Sequence, residues 1–360
     1  MQVFHCKTRI LSGEKALDQL GKLGCKRLLL VADPYFAKNG WAERICQKSG
    51  AEHWEIFSGV QPDPTVEIAA AGTAQMRQVQ PDTLIALGGG SAMDTAKAMM
   101  YFAGEGVRFV AIPTTSGSGS EVTNFAILTH GETKHPLIDG RMQPDVAILS
   151  EELVQGLPQS LVADGGFDVL SHALESYVAT NATPITRALA ASAFAAAFAG
   201  LPASFGGDLQ VRGKLQMAST MAGLAFSQSG LGMCHALAHS LGGVFHVPHG
   251  RLNAVLLPEV VACNAHAAGS AYAELARSAG LGSSADAIGV RNLRNGLIRL
   301  RKDLHLPATL QQAGIPPQKL WHHSKGIVQA ALADPCMATN PVKGEDFMLR
   351  RILEAVSGRG

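Results

Sequence analysis

Several things are scarce in this chain of 360 residues, and each scarcity excludes something. There is no excess charge of one sign: 30 Lys and Arg meet 29 Asp and Glu, for a formal net charge of +1. Without a single-sign field, nucleic-acid and membrane-surface roles have no electrostatic basis. There are no paired cysteines. Cys6, Cys25, Cys46, Cys234, Cys263 and Cys336 form no CxxC motif. A chain of this length needs no disulfide staples, so free thiols in a reducing compartment are expected. The first residues, Met1-Gln2-Val3-Phe4-His5, have neither a basic n-region nor an apolar h-region, which predicts no secretion signal. The most apolar helical run, Ala188–Leu201, is Ala-rich and well under the about 20 residues that cross a bilayer, so a soluble, cytoplasmic protein is expected. Charged residues are only 16% of the chain, whereas hydrophobic residues are 47%, enough for a large core and too many for disorder.

What is there divides into two textures. Up to about residue 150, short apolar runs alternate with helical stretches. The runs are Arg27–Ala32, His53–Phe57, Thr83–Leu87, Arg108–Ile112 and Val146–Leu149; the helical stretches include 41–49, 65–78 and 92–102. Strands alternating with helices predict βαβ units and a mostly parallel sheet. The runs are continuous rather than alternating, as in strands buried on both faces. Beyond that point no convincing strand run occurs, only Ala-, Leu- and Met-rich stretches at helical spacing: 166–179, 184–199, 211–227 and 231–242, with Pro158 and Pro202 as punctuation. The expectation is a Rossmann-like α/β domain over 1–155 and an all-α domain over 156–360.

Two loops have the chemistry to hold a dinucleotide. The Thr83–Leu87 run leads directly into Gly88-Gly89-Gly90-Ser91, and a helix follows. Glycine lets the backbone approach a ligand closely, and a helix N-terminus offers unpaired N–H groups to a pyrophosphate. Pro113 to Ser120 (PTTSGSGS) also follows a strand and offers hydroxyls between glycines; alone it reads equally as a solvated linker. Together the two loops fall where open α/β sheets bind ligands, at the C-terminal ends of the strands. Asp33 closes the first strong strand. Its carboxylate can bond a ribose 2′-OH and repel a 2′-phosphate, or cap a turn, since Asp-Pro opens turns. GxGxxG is absent, and the acid precedes the glycines, so the pattern is not the ordinary dinucleotide fingerprint.

The second half carries a metal-like constellation. Asp168 and His172 stand at i and i+4, on one face of a helix. His235, His239, His246 and His249 then fall within fifteen residues, although the whole chain has 13 His. One carboxylate and several imidazoles suit a divalent transition ion such as Fe²⁺ or Zn²⁺, and a catalytic site leaves positions open, so not all of these histidines are needed.

These residues resemble the iron-dependent (group III) alcohol dehydrogenases. The matching stretches are 88–97 (GGGSAMDTAK), 113–123 (PTTSGSGSEVT), 166–177 (GFDVLSHALESY), 235–250 (HALAHSLGGVFHVPHG) and Thr339-Asn340-Pro341, in family order over nearly the whole chain. Within the family the chain is most similar to the propanol dehydrogenases of propanediol-utilising bacterial microcompartments, on 134–144 (KHPLIDGRMQP), 225–232 (AFSQSGLG) and 245–249 (FHVPH). The resemblance implies the dehydroquinate-synthase-like fold of that family. It implies Asp168, His172, His235 and His249 as ligands of Fe²⁺, with Zn²⁺ the alternative. His239 would be a non-ligand catalytic histidine beside the nicotinamide and substrate oxygen. Gly88, Gly89, Gly90 and Ser91 would hold the pyrophosphate of NAD(H), and Asp33, Asp94, Thr114, Thr115, Ser118 and Lys134 the rest of the dinucleotide. Phe226 and Cys336 match substrate-pocket positions, with His246 expected in the same pocket. Two departures stand out. The usual Ala-Thr-Gly-Met before the ligand Asp is Asp164-Gly165-Gly166-Phe167, and the frequent Pro-Asn-Pro is Pro62-Asp63-Pro64.

The implied reaction is reversible, NADH-linked reduction of a short aldehyde, propionaldehyde to 1-propanol, with the metal as Lewis acid. Acetaldehyde and ethanol, or 1,3-propanediol, are the alternative substrates. A non-redox lyase on the same fold would need a basic pocket for an anionic substrate, which the apolar neighbours here, such as Phe226, do not provide. A homodimer, and packaging with the shell or enzymes of a microcompartment, are further implications of the resemblance.

Overall fold

The computed structural model describes residues 3–131 and 133–358, with Thr133 and Lys134 described by backbone alone. The chain forms two compact units, His5–Leu157 and Pro158–Gly360.

The first unit is built on a six-stranded, wholly parallel sheet. Its strands are β1 (Arg9–Ser12), β2 (Arg27–Ala32), β3 (His53–Phe57), β4 (Thr83–Gly88), β5 (Arg108–Pro113) and, after a separate two-stranded antiparallel hairpin of β6 (Phe125–His130) and β7 (Thr133–Ile138), β8 (Val146–Leu149). The order across the sheet is β1-β8-β5-β4-β2-β3. The four central strands are buried because helices cover both faces. On one face Leu28, Leu30, Ile85, Val110 and Ile148 pack with Ala42 and Ile45 of α2 (Trp41–Ser49), which follows the short α1 (Pro34–Lys38). On the other, Leu29, Val31, Leu84, Ala86 and Phe109 pack with Met76 of α3 (Val66–Val79) and Met93 and Met99 of α4 (Gly90–Ala103). Odd and even positions of each strand thus serve opposite cores.

β2 runs to β3 on one side, and β4 then returns to the other side of β2. The order therefore reverses between β2 and β4, the place where open α/β sheets bind ligands. The ends of these strands are in register, Ala32 opposite Leu87, which sets Asp33 beside Gly88. The short edge strand β1 and the β6–β7 hairpin were not expected from the sequence.

The second unit is helical: α5 (Glu151–Val154) precedes it, and α6 (Gln159–Val178), α7 (Pro184–Phe205), α8 (Leu209–Ser229), α9 (Met233–Phe245), α10 (His249–Ser278), α11 (Asp286–Asp303), α12 (Pro317–Ala333) and α13 (Asp346–Val356) compose it. α6 packs against α7, α8 and α10 and is buried almost all round. A helix so placed must be apolar on every side or find partners for its polar groups. Its polar positions, Asp164, Asp168, His172 and Glu175, recur at i+4, i+4 and i+3 and so share one face.

The sequence understates α7. The expected apolar run is too short for a bilayer, but the helix has 22 residues and contains an 18-residue stretch of mean hydropathy 1.6, long and apolar enough to cross a membrane by those two measures. Thr183 caps it in a reciprocal box with Thr186, Pro184 starts it, and Pro202 is carried inside its last turn rather than ending it. It packs against α6 and α8 through Ala190, Ala193, Phe194, Ala197 and Leu201.

Candidate metal centre and dinucleotide loops

Asp168 Oδ1 is the hub of the polar face of α6. It lies 3.8 Å from His172 Nδ1, 3.9 Å from His235 Nε2 and 3.6 Å from His249 Nε2. Ligand atoms of Asp168, His172 and His235 all fall within 4.8 Å of one another. Two atoms each about 2.1 Å from a tetrahedral ion stand about 3.4 Å apart, so small adjustments close this set on one cation. The rings of His172 and His235 stack at 4.5 Å, and that of His249 tilts against His235 at 5.2 Å.

The donor chemistry fits a cation. Burial pushes the Asp168 carboxyl up, against the opposing charges and the Asn253 hydrogen bond. Burial, with the neighbouring imidazoles, pushes His235 well below the ordinary range, so it is neutral. Its Nδ1 meets Glu175 Oε2 at 2.7 Å. With the proton on Nδ1, Nε2 is an acceptor 3.9 Å from the acceptor Asp168 Oδ1; the Asn253 amide stands 3.0 Å from Oδ1 and 3.5 Å from Nε2, and a cation shared by the two acceptors is likewise favourable.

Glu175 does more than orient His235. It accepts from the backbone N–H groups of Gly232 (2.9 Å), Cys234 (2.6 Å) and His235 (3.3 Å). α9 has no side-chain cap of its own, and Glu175 supplies the missing acceptor from α6. Burial raises the Glu175 carboxyl to about 7, with these hydrogen bonds opposing. Gly232 is required for space: a Cβ there would come within 2.7 Å of Asn340 Oδ1 and 2.8 Å of Glu175 Oε1. Asn340 Oδ1 in turn accepts from Met233 N–H, which gives the Thr339-Asn340-Pro341 motif its structural purpose. Asn253, wholly buried, donates to Asp168 Oδ1 at 3.0 Å.

His239 stands beside the centre, its ring stacked on His249 at 5.1 Å. Its Nδ1 is 2.8 Å from Asp334 Oδ2, and the other Asp334 oxygen accepts from Cys336 N–H at 2.8 Å. Burial acts to raise the Asp334 carboxyl, but the bonds and charge of His239 and the Cys336 contacts outweigh it and hold it below the ordinary range. Burial and the Asp334 carboxylate push the Cys336 thiol well up. Phe226 stacks on His172 at 4.4 Å, with 18° between the planes. His246 ends α9 in the left-handed conformation at an exposed position. Among the departures, Asp164 does not face solvent; it is buried against Arg251. Asp63 adopts a left-handed backbone, φ 52°.

In the first unit the glycine loop and Asp33 meet as the register demands. Gly88 has φ +156°, and a Cβ on it would stand 2.6 Å from Ala92 Cβ and 3.1 Å from Asp33 Cβ. α4 begins at Gly90 with Gly89 as an N-cap that offers no side chain, so the first N–H groups are left for a ligand. A Cβ on Gly89 would touch Thr115, and one on Gly90 would approach Ser118. Thr114 N–H donates to Gly88 C=O at 3.0 Å. The two candidate loops are therefore one surface. Ser91 lies in the first turn of α4, its carbonyl accepting from Thr95 Oγ1. Asp94 reaches away, accepting from Ser120 Oγ and Ile127 N–H. Asp33 Oδ1 accepts from Tyr35 N–H, so the residue caps α1 while standing against the glycine loop. Lys134 lies on β7, its side chain outside the described part.

Glu175, Asn253 and Asp334 were not singled out from the sequence. Glu175 sits three residues after His172 and Asn253 four after His249, spacings that place them on the ligand faces. Asp334 is 95 residues from His239 and carries no such signal.

Comparison with known proteins finds relatives over nearly the whole chain. Residues 7–151 match the model of iron-containing alcohol dehydrogenases, and residues 162–356 the C-terminal model of the Fe-containing alcohol dehydrogenase family. The chain is 40% identical to 1-propanol dehydrogenase PduQ of Citrobacter freundii, covering 98% of this chain and 99% of the relative. It is 35% identical to the NADPH-dependent butanol dehydrogenase of Clostridium saccharobutylicum, covering 99% and 98%. Among solved structures, the iron-containing alcohol dehydrogenase from Thermococcus thioreducens superposes with a TM-score of 0.92 at 30% identity, over 99% of this chain and 100% of that one.

Proposed function

The chain belongs to the iron-containing alcohol dehydrogenase family, and from that premise we propose that it reduces short aliphatic aldehydes with NADH, propionaldehyde to 1-propanol foremost, and catalyses the reverse oxidation. The observation that carries this reading is the convergence of His172, His235 and His249 on the single oxygen Asp168 Oδ1. The similarity to a 1-propanol dehydrogenase and a butanol dehydrogenase supports the substrate class.

Asp168, His172, His235 and His249 would hold Fe²⁺, with Zn²⁺ accepted by the same donors; the ion supplies Lewis-acid polarisation of the substrate oxygen. Gly88 to Ser91 would hold the pyrophosphate of NAD(H), which would supply the hydride. Asp334 keeps the His239 proton on Nδ1 and leaves Nε2 to exchange a proton with the substrate oxygen. Glu175 and Asn253 hold His235 and Asp168 in their ligating orientations. Phe226, flat against His172, gives the substrate an apolar wall suited to a short alkyl chain. Asp33 favours NADH, because its carboxylate beside the glycine loop would repel a 2′-phosphate. A homodimer and, by the resemblance to propanol dehydrogenases, packaging in a microcompartment complete the proposal; sedimentation of the purified chain and of isolated compartments checks each.

The test is NADH oxidation by metal-loaded protein presented with a panel of aldehydes. The expected result is fastest turnover on three-carbon and neighbouring chain lengths, with NADPH poorer than NADH. No turnover on any aldehyde, or equal use of both coenzymes, contradicts the corresponding part of the reading.

A further inference from the structure

We propose that Asp164 and Arg251 are a positioning pair that sets the metal affinity of the centre by fixing where His249 stands. The inference rests on the metal reading above.

Arg251 Nε donates to Asp164 Oδ1 at 3.2 Å and Nη2 to Oδ2 at 2.9 Å, a two-pronged pair. Asp164 is 6% exposed and the Arg251 side chain 32%, so the pair is sheltered on its carboxylate side. It lies one turn before Asp168 on α6; Arg251 lies two residues after His249 in the first turn of α10. Between them Gly250 brings the helices into backbone contact: a Cβ there would fall 1.9 Å from the Asp164 carbonyl oxygen. Asn253 then reaches Asp168. Residues 250, 251 and 253 of α10 therefore all bear on α6, and His249 projects from the end they fix.

Two further observations separate this from an ordinary ion pair. First, Arg251 works against its own helix. A cation in the first turn opposes the dipole, and this turn has no acidic residue and no side-chain cap. Secondly, His249 is the least buried of the four candidate ligands, its side chain 31% exposed. The His235 and His239 rings touch it, and the start of α10 sets where its backbone lies. The pair also balances charge. Asp164 alone would set a second carboxylate one turn from Asp168; joined to Arg251 it is neutralised, leaving Asp168 as the carboxylate that faces the imidazoles.

The test measures Zn²⁺ affinity of the full chain by competition with a chromophoric chelator, alongside the visible spectrum of the Co²⁺ form and the melting temperature of the metal-free form. Arg251→Met and Asp164→Asn should each weaken Zn²⁺ binding on the order of 10- to 100-fold. Arg251→Lys, which keeps the charge but loses the fork, should recover only part. The Co²⁺ spectrum should shift in all three. Should Arg251→Met fail to fold, Arg251→Lys and Asp164→Asn carry the same comparison. Affinities within twofold of the parent and an unchanged Co²⁺ spectrum, even with a lowered melting temperature, overturn the proposal and leave the pair a purely structural one. A parent chain that takes up no Zn²⁺ overturns the metal reading itself, and with it the pair's role.

Discussion

Replacing Lys97 by methionine tests how the dinucleotide unit is held together. Lys97 is fully buried on α4. Its Nζ donates to Ser120 Oγ and Thr123 Oγ1 at 2.8 Å and to Phe125 C=O at 2.9 Å, tying α4 to the end of the second candidate loop and the segment after it. Burial pushes its pKa down from 10.5 to about 8, against the pull of Asp94 and Glu121. At about 1.4 kcal/mol per pH unit, that drop corresponds to about 3 kcal/mol of burial cost. Methionine removes this cost but also three hydrogen bonds to a charged donor, each worth about 1.5–3 kcal/mol. The variant should be about 2–5 kcal/mol less stable than the parent at neutral pH and should bind NADH more weakly. Between pH 8 and 10.5 the unfolded parent holds the Lys97 proton and the folded one does not, so the parent's stability rises with pH. The cost is fully present below pH 8 and relieved by 10.5. Urea unfolding of both proteins across this range cancels the other titrating groups. The gap between them should widen by up to about 3 kcal/mol towards pH 10.5. A flat or narrowing gap, or a variant as stable as the parent at pH 7, would refute the reasoning.

Other expectations follow from the same geometry. Glu175→Gln should lower metal affinity on the order of 10- to 100-fold, read by chelator competition, since an amide cannot accept from every N–H that the carboxylate serves. Gly88→Ala combines an unfavourable φ with a Cβ 2.6 Å from Ala92; it should cost about 1–3 kcal/mol in thermal unfolding and abolish NADH fluorescence enhancement. Asp33→Ser should raise the efficiency with NADPH relative to NADH, measured as the ratio of kcat/KM values. Asp334→Asn should lower kcat about 10²- to 10⁴-fold with little change in bound metal, because it frees the His239 tautomer without touching a ligand.

The parts of the fold legible in the sequence were those whose burial leaves a pattern. β2, β4, β5 and β8 read as unbroken apolar runs because both faces are covered. β1 has only four residues with half-exposed burial, and β7 carries Lys134, His135 and Pro136, so neither could be told from a loop. α7 was cut short because a proline reads as a stop, yet Pro202 lies in a final turn where little of the helix remains to be broken. At the metal centre, Asp168 with His172 was visible from its helical spacing. His235 and His239 show the same spacing, but spacing could not assign one to the ion and the other to Asp334. The resemblance names His235 as the ligand, and only the fold brings Asp334, nearly a hundred residues along the chain, to His239. Asp164 looked like an odd carboxylate until Arg251 was seen against it.

X-ray absorption at the metal edge of Fe²⁺-loaded protein reads which side chains hold the ion. His239, Asp334 and Cys336 also bring potential ligand atoms within 4.8 Å of one another, so among the described residues two clusters compete for an ion, and one of the two contains sulfur. One ion per chain is expected, with nitrogen and oxygen neighbours alone, at about 2.0–2.2 Å. A sulfur neighbour at about 2.3 Å, or no ordered shell, would contradict it.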